Sequence, residues 1–351
     1  MSRKKLTVGV LTSLVAVVIA SALAVSAGAG TARSTDTNIV GAGSTFAAPL
    51  YTAWYQYYNP RSEANVSYNS VGSGAGIASI TARTVDFGAS DAPLTPDQFS
   101  NCKDCVQIPL LLGTTAVLYN LPGIAQQVKL TGQIISDMYL GNVTQWDAPA
   151  IKSINPGVNL PSLKVTPVYR SDGSGTSYNF ADYLSKVSPA FASKVGKSTQ
   201  PPFPLGVGAR GSSGVAGVVK NTPGAVGYAD VAYALANKLR FAKVKNKAGA
   251  FATPGIRGAT AAAASVKKIP ADNGISIVDP PASAGRIAYP IASYSWAIVP
   301  VQSKQAAALK RFLLFTISKP GQALGVKLLY APIPDNIRVA AAKTIAKVKQ
   351  G

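Results

Sequence analysis

The chain has 351 residues, long enough for two domains of ordinary size, and its 47% hydrophobic against 14% charged residues excludes a disordered chain. It contains no histidine, which excludes His-dependent triads, histidine metal ligands and imidazole acid–base steps. The formal charge is +20, but the lysines are scattered and not interleaved with aromatics, which argues against nucleic acid and leaves a diffuse field suited to small anions or an anionic cell envelope.

The first residues read as a targeting segment. Ser2-Arg3-Lys4-Lys5 is a positive opening, residues 6–25 are apolar, and Val25-Ser26-Ala27 offers a small-residue cleavage point. Residues 1–27 are expected to be a signal peptide. The apolar run is long, so an uncleaved membrane anchor is the alternative. No cysteine stands near the cleavage point, which argues against a bacterial lipoprotein anchor. Residues 28–37, small and polar, read as a flexible leader. No later run of ~20 apolar residues occurs, so the body is expected to be soluble.

Asn38-Ile39-Val40 reads as a short strand entering Gly41-Ala42-Gly43-Ser44-Thr45-Phe46. Phe46, Leu50, Ala53, Trp54 and Tyr57 then fall on one helical face, with Pro49 in the first turn. Residues 66–71 alternate like a strand, Gly72-Ser73-Gly74-Ala75-Gly76 follows, and Ile77, Ile80 and Thr81 continue as a helix. Residues 85–91 form a third strand, ending in a turn that Ala92-Pro93 closes. Cys102 and Cys105 are the only cysteines. They sit in loop-like sequence, without the strand and helix start of a redox motif and without partners for a zinc site, so a structural disulfide is the default in an exported chain. Residues 106–112 and 114–119 are two apolar runs that suit buried parallel strands.

From Thr131 the chain enters a second body, with Ile134, Ile135, Met138 and Tyr139 in helical spacing. A β-type run at 164–169 leads into Arg170-Ser171-Asp172-Gly173-Ser174-Gly175-Thr176-Ser177, and Phe180, Tyr183, Leu184 and Val187 lead out on a helix. Residues 206–214 make a further Gly-rich turn before Val215, Val218 and Val219, and residues 224–228 read as a strand. Residues 243–281 are poor in pattern and read as variable surface. Residues 287–301 return to strand, 306–316 to helix, and 337–348 to a last helix after Pro332 and Pro334. Strands alternating with helices predict an α/β fold with a largely parallel sheet in each body.

Three local likenesses fail on chemistry. Gly196-Lys197-Ser198-Thr199 has the end of a phosphate-loop motif, but Phe191 stands where its first glycine belongs and Pro201-Pro202 where its helix should start. Gly41-Ala42-Gly43 lacks the third glycine of a dinucleotide fingerprint. Ser174 has no histidine to activate it and Asp172 in place of the glycine of a nucleophile elbow. What remains is a set of loops at strand ends carrying Ser44, Thr45, Ser73 and Asp91, then Arg170, Asp172, Ser174 and Thr176. Each hydroxyl alone reads as a helix cap. Together, at the C-terminal ends of strands, they read as an oxyanion site, since the helix start that needs a cap also attracts an anion.

Residues 41–46, 85–93 and 172–177 resemble the signature loops of the periplasmic phosphate-binding proteins of high-affinity phosphate ABC transporters. Tyr139-Leu140-Gly141 with Trp146-Asp147, and Pro223-Gly224-Ala225-Val226-Gly227-Tyr228, are similar too. The likeness runs from Asn38 to near the C-terminus, departing at 243–281 and at Cys102/Cys105. It implies a two-lobed type II periplasmic-binding-protein fold of the α/β class, each lobe a mixed, mostly parallel sheet flanked by helices, with the ligand between lobes. Lobe I is expected over 38–112 plus 290–351 and lobe II over 113–289, with hinge strands near Gly113 and Tyr289. The resemblance implies phosphate contacts from Ser44, Thr45, Phe46, Ser73, Asp91, Arg170, Ser174, Gly175 and Thr176, with Asp172 restraining Arg170. Asp91 beside an anion has a physical reason: a carboxylate only accepts hydrogen bonds, so it demands a proton that phosphate carries and sulfate at neutral pH lacks.

The expected partners are inorganic phosphate and a phosphate ABC permease in the membrane, with no nucleic acid, no cofactor, no metal and no catalytic residue, for a monomer that is exported, periplasmic or otherwise extracytoplasmic. An exported phosphatase or phosphotransferase is the alternative. It would need a nucleophile with a base or a metal cluster, and the chain's 14 acidic residues form no such cluster. A phosphate-scavenging surface or adhesion protein on the same fold is a third reading.

Overall fold

The structure is a computed structural model in which residues 37–351 are described; the signal segment 1–27 and the leader up to residue 36 lie outside the described residues. The first half of the chain contributes β1 (Thr37–Gly43), α1 (Ala48–Tyr58), β2 (Ala64–Ser70), α2 (Ser73–Thr81), β3 (Phe87–Ser90), α3 (Pro96–Cys102), β4 (Cys105–Tyr119), β5 (Lys129–Leu130), α4 (Gly132–Leu140), α5 (Pro149–Ile154), β6 (Thr166–Arg170) and α6 (Gly175–Val187). There follow α7 (Pro189–Lys194), β7 (Val207–Ala209), α8 (Gly211–Asn221), β8 (Ala225–Asp230), α9 (Val231–Asn237), β9 (Arg240–Phe241), β10 (Lys243–Lys245), β11 (Phe251–Ala252) and α10 (Ile256–Ala263). The chain ends with β12 (Ala292–Pro300), β13 (Gln302–Ser303), α11 (Ala306–Thr316), α12 (Lys319–Val326), α13 (Asp335–Ala346) and β14 (Lys349–Gln350).

Local chemistry accounts for many boundaries. Pro49 sits in the first turn of α1, where a missing N–H costs nothing. Thr95 and Gln98 form a reciprocal capping box at the start of α3. Thr131 caps α4 through the Ile134 N–H, and Gly141 closes it in the left-handed region at φ 81°.

The main sheet runs in the order β2-β1-β3-β12-β4-β8-β6-β7. β1 is parallel to β2 and β3, and β6 is parallel to β7 and β8. Between these parallel groups lie β12 and β4, antiparallel to each other and to their outer neighbours β3 and β8. Here the structure differs from the sequence reading. The two apolar runs around Gly113 are one strand of 15 residues, and its pairing is antiparallel. A continuous hydrophobic run reports burial on both faces, and says nothing of the neighbour's direction. β4 pairs with β12 through Thr114 and with β8 from Thr115 onward, so it belongs to both halves of the sheet.

Separate apolar cores flank this sheet. One gathers Ile39, Phe46, Trp54, Phe87, Trp296 and Phe312, and another gathers Tyr139, Trp146, Phe180, Phe191 and Tyr228. Residues 259–277 do not follow their neighbours: Ala259, Ala262, Ala263, Ile275 and Ile277 pack into the first core, although the sequence reading placed them in the second body and on the surface. Ala259, Ala262 and Ala263 are small residues of α10, whose weak hydrophobic contrast hides the inward face, while Ile275 and Ile277 lie in the irregular segment after it. All three tryptophans are buried, and each indole N–H donates to a carbonyl: Trp54 to Gly321, Trp146 to Gly224 and Trp296 to Asn273, each at 2.8 Å. Among the described residues no helix is long and apolar enough to cross a membrane. Trp54→Ala should lower the unfolding free energy by about 3–5 kcal/mol in urea titrations, because it empties the first core and orphans a carbonyl.

Candidate functional site

Four helices begin at one crevice: α1, α2, α6 and α8, each after a strand whose C-terminal end opens there. Their positive dipole ends and unsatisfied first-turn N–H groups therefore converge. β1 delivers Ser44 and Thr45, the turn after β2 delivers Ser73, and β3 delivers Asp91. Opposite, β6 ends on Arg170, and the loop from Ser171 to Ser174 leads into α6.

Asp91 lies at the bottom and is 1% exposed. Ser44 Oγ donates to its Oδ1 at 2.5 Å, and Thr176 Oγ1 reaches its Oδ2 at 3.4 Å from the other side of the crevice. Asn179 Nδ2 donates to the Asp91 carbonyl at 2.7 Å. Burial pushes the Asp91 carboxyl up to about 6, against the Ser44 hydroxyl, the Arg170 charge and the Thr176 hydroxyl, which hold it down.

Arg170 is gripped by Asp172. Nε donates to Oδ1 at 2.6 Å and Nη2 to Oδ2 at 2.5 Å, a two-pronged fork whose arginine side chain is 1% exposed. Burial alone would raise the Asp172 carboxyl, but the hydrogen bonds and charge of Arg170 outweigh it and hold the group below the usual carboxylate range. The remaining prong, Nη1, donates across the crevice to Thr45 Oγ1 at 2.9 Å. Two more contacts span the gap: Gly74 N–H donates to the Gly173 carbonyl at 3.0 Å, and Gly175 N–H to Ser73 Oγ at 3.0 Å. Ser174 Oγ accepts from the Ser177 N–H as the cap of α6, which leaves its own proton to donate.

Ser44, Thr45, Ser73, Asp91, Arg170, Asp172, Ser174, Gly175 and Thr176 thus share one crevice. Phe46 differs from them in part. Its ring is fully buried in the first core against Tyr330, and its carbonyl accepts from the Tyr330 hydroxyl at 2.6 Å, so only its N–H belongs to the crevice loop. Cys102 and Cys105 are joined by a disulfide at the end of α3, away from these loops. Among the described residues no group of three or more Cys, Asp or Glu side chains is placed to hold a metal ion.

Several crevice residues carried no role in the sequence reading. Ser212, at the start of α8, pairs its hydroxyl with Thr45 Oγ1 at 2.8 Å and donates its N–H to the same oxygen at 3.2 Å. The Gly-rich turn at 206–214 was a visible signal for it. Gly211 N–H donates to Asp172 Oδ1 at 3.0 Å. Tyr233 OH donates to the Thr45 carbonyl at 2.6 Å and Tyr68 OH to the Ser44 carbonyl at 2.8 Å, and nothing local in sequence marks either tyrosine.

Residues 27–320 match the family described as a PBP superfamily domain. The Phosphate-binding protein PstS of Xylella fastidiosa (strain Temecula1) is 38% identical over 309 residues, covering 87% of this chain and 84% of the relative. That of Haemophilus influenzae is 33% identical over 86% of this chain and 90% of the relative. The chain belongs to the PstS family of phosphate-binding proteins. A crystal structure described as a phosphate binding protein from Stenotrophomonas maltophilia superposes with a TM-score of 0.69 at 20% identity, covering 88% of this chain and 93% of that one. That likeness carries the fold: α/β, of the type II periplasmic-binding-protein kind.

The state of Asp91 gives a pH test. Its carboxyl titrates higher in the folded chain than in the unfolded one, so stability without ligand should fall as pH rises from about 4 through 6, by up to ~3 kcal/mol. Asp91→Asn should remove that slope, and its advantage over the wild type in urea denaturation should grow between about pH 4 and about pH 7. A difference that stays constant across that window would contradict the assignment.

Proposed function

We propose that the protein captures one inorganic phosphate in this crevice and delivers it to an ABC permease in the membrane. The observation that carries this reading is a buried carboxylate acceptor, Asp91, set among hydroxyl and N–H donors at four converging helix starts. Donors alone would accept any oxyanion. An acceptor in a dry site selects an oxyanion that still bears a proton. Sulfate would set two acceptors face to face, at a cost of several kcal/mol.

In this reading Thr45, Ser73, Ser174 and Thr176 donate hydroxyls, Ser44 stands beside them with its hydroxyl donating to Asp91, Phe46 and Gly175 donate backbone N–H groups, and Arg170 donates its Nη1. Phosphate oxygens take over donors that bond across the crevice to one another, as Arg170 does to Thr45 and Gly175 to Ser73. Asp172 spreads the arginine charge, so local dipoles do much of the holding. The ligand leaves unchanged, and no group in the crevice forms a covalent bond with it. The two halves open and close about Gly113–Thr115 of β4 and Ile291–Ala292, where the Thr115 N–H donates to the Ile291 carbonyl at 2.8 Å. Delivery to a permease places the protein outside the cytoplasmic membrane, consistent with the leading apolar segment.

Isothermal titration with phosphate and with sulfate tests the reading. Phosphate should bind one to one, with sulfate weaker by at least ~10-fold. Absence of phosphate binding at micromolar protein would overturn it. Asp91→Asn should bring the two anions closer in affinity by about one order of magnitude. Turnover of para-nitrophenyl phosphate would replace capture by catalysis.

A further inference from the structure

The C-terminal segment is one-sided in charge: residues 301–351 contain nine lysines and arginines and a single acid, Asp335. Folding sets six of these cations on the adjoining surfaces of α11, α13 and the β13–β14 pair, with Lys304 and Arg311 in one depression and Lys343 and Lys347 in a neighbouring one. α11 packs beside α13, and Lys310 Nζ donates to the Ala346 carbonyl at 3.4 Å. β13 pairs with β14, which sets Gln302 against Lys349, and Gln350 Nε2 donates to the Lys304 carbonyl at 2.9 Å. Lys304, Arg311, Lys343, Lys347 and Lys349 are exposed and Lys310 is half-buried. Of the acids at its margin two are paired, while Asp272, which shares a depression with Lys347, accepts only the Gly274 N–H. Asp335 is held by Arg338 at 2.8 Å, and Asp104, which accepts the Gln302 N–H, is held by Arg83 at 2.6 Å.

Apolar side chains stand among these cations. Leu314 is 45% exposed, one turn from Lys310 and Arg311, and Val339 is 48% exposed, one turn from Lys343. The charges spread across two helices and a strand pair. A small anion wants convergent donors, whereas this spread suits an extended anionic surface, and exposed apolar tips beside lysines suit its headgroup layer.

The course of the chain identifies that surface. Thr37 lines a depression on this face with Lys304, Arg311 and Gln350, so the preceding chain joins the body here. Residues 26–36 span at most about 40 Å when extended, so while the apolar run 6–25 is still attached during export this face stays within that reach of the bilayer. The phosphate loops follow the other end of β1, ~20 Å away at about 3.3 Å per residue.

We infer that this face docks on the anionic headgroups of a phospholipid bilayer, holding the body against the membrane with the phosphate crevice clear of it. The attraction is electrostatic and additive over the cations, and it fades with salt. The inference stands apart from the phosphate reading, because the face lies at the opposite end of β1 from the crevice.

The test is sedimentation of the exported protein, purified from expressing cells, with vesicles of equal parts phosphatidylglycerol and phosphatidylcholine. Binding should exceed that to phosphatidylcholine vesicles alone by at least ~10-fold at low salt and fall steeply near ~0.5 M salt. The triple variant K343E/K347E/K349E should lose at least ~10-fold of the binding, while K327E, off this face, should lose little. Phosphate titration of each variant reports whether it is folded. Salt-resistant binding, equal binding to both vesicle types, or an unchanged triple variant would overturn the inference. So would capture by soluble polyphosphate without capture by vesicles, which would reassign the face to a free polyanion.

Discussion

The closeness of two backbones is the constraint on which the crevice depends. A side chain at Gly175 would place its Cβ 2.6 Å from the backbone nitrogens of Asp91 and Ala92. One at Gly72, already at φ 97°, would meet an Asp172 oxygen at 2.4 Å. Only glycine lets the start of α6 come this near the Asp91–Ala92 backbone, and the turn before α2 this near the Asp172–Gly173 loop. Once they do, Gly74 can donate to Gly173, Gly175 to Ser73, and Thr176 can reach Asp91. Water is then kept from Asp91, and the low dielectric raises its carboxyl.

The same dry space separates two aspartates by environment. Asp91 is pushed up by burial, with hydroxyls as its main relief, whereas Asp172 is held down by a guanidinium fork. A third carboxyl, Asp230 at the end of β8, is fully buried and pushed well above the usual range, with one oxygen accepting the Ala232 N–H at 2.8 Å. The crevice is therefore not a positive hole, although the chain carries +20. Arg170 is matched by Asp172, and a large share of the surplus sits on the far face formed by α11, α13 and the β13–β14 pair. Capture by dipoles and attraction by charge occupy different parts of the molecule.

Legibility in the sequence followed the reach of each interaction. Helix α11 and the capped start of α6 are local events, written in periodicity and in a single serine. The strand–glycine–helix turns carrying Ser44, Ser73 and Ser174 were equally visible, because tight turns and helix caps demand particular residues. The single antiparallel β4 and the burial of Ile275 and Ile277 were not, since both depend on which distant segment lies alongside. Phe46 was seen as part of its loop, but the choice between ring and backbone was made by the pocket around Tyr330.

By itself the sequence determined that the chain is an α/β protein without histidine chemistry, bearing hydroxyl-rich loops at strand ends and an Arg170 and an Asp172 two residues apart. These depend on composition and on contacts within a few residues. Tertiary structure alone decided that Asp91 and Thr176, 85 positions apart, face one another, and that Ser212 and Tyr233 close on Thr45 from the second half. It also decided that Lys304 and Arg311 share a depression with the start of β1, with Lys310 and Lys349 on the elements beside them. The reason is that hydrogen bonds and fields act through space, and only the folded chain fixes which groups lie within their few-ångström reach.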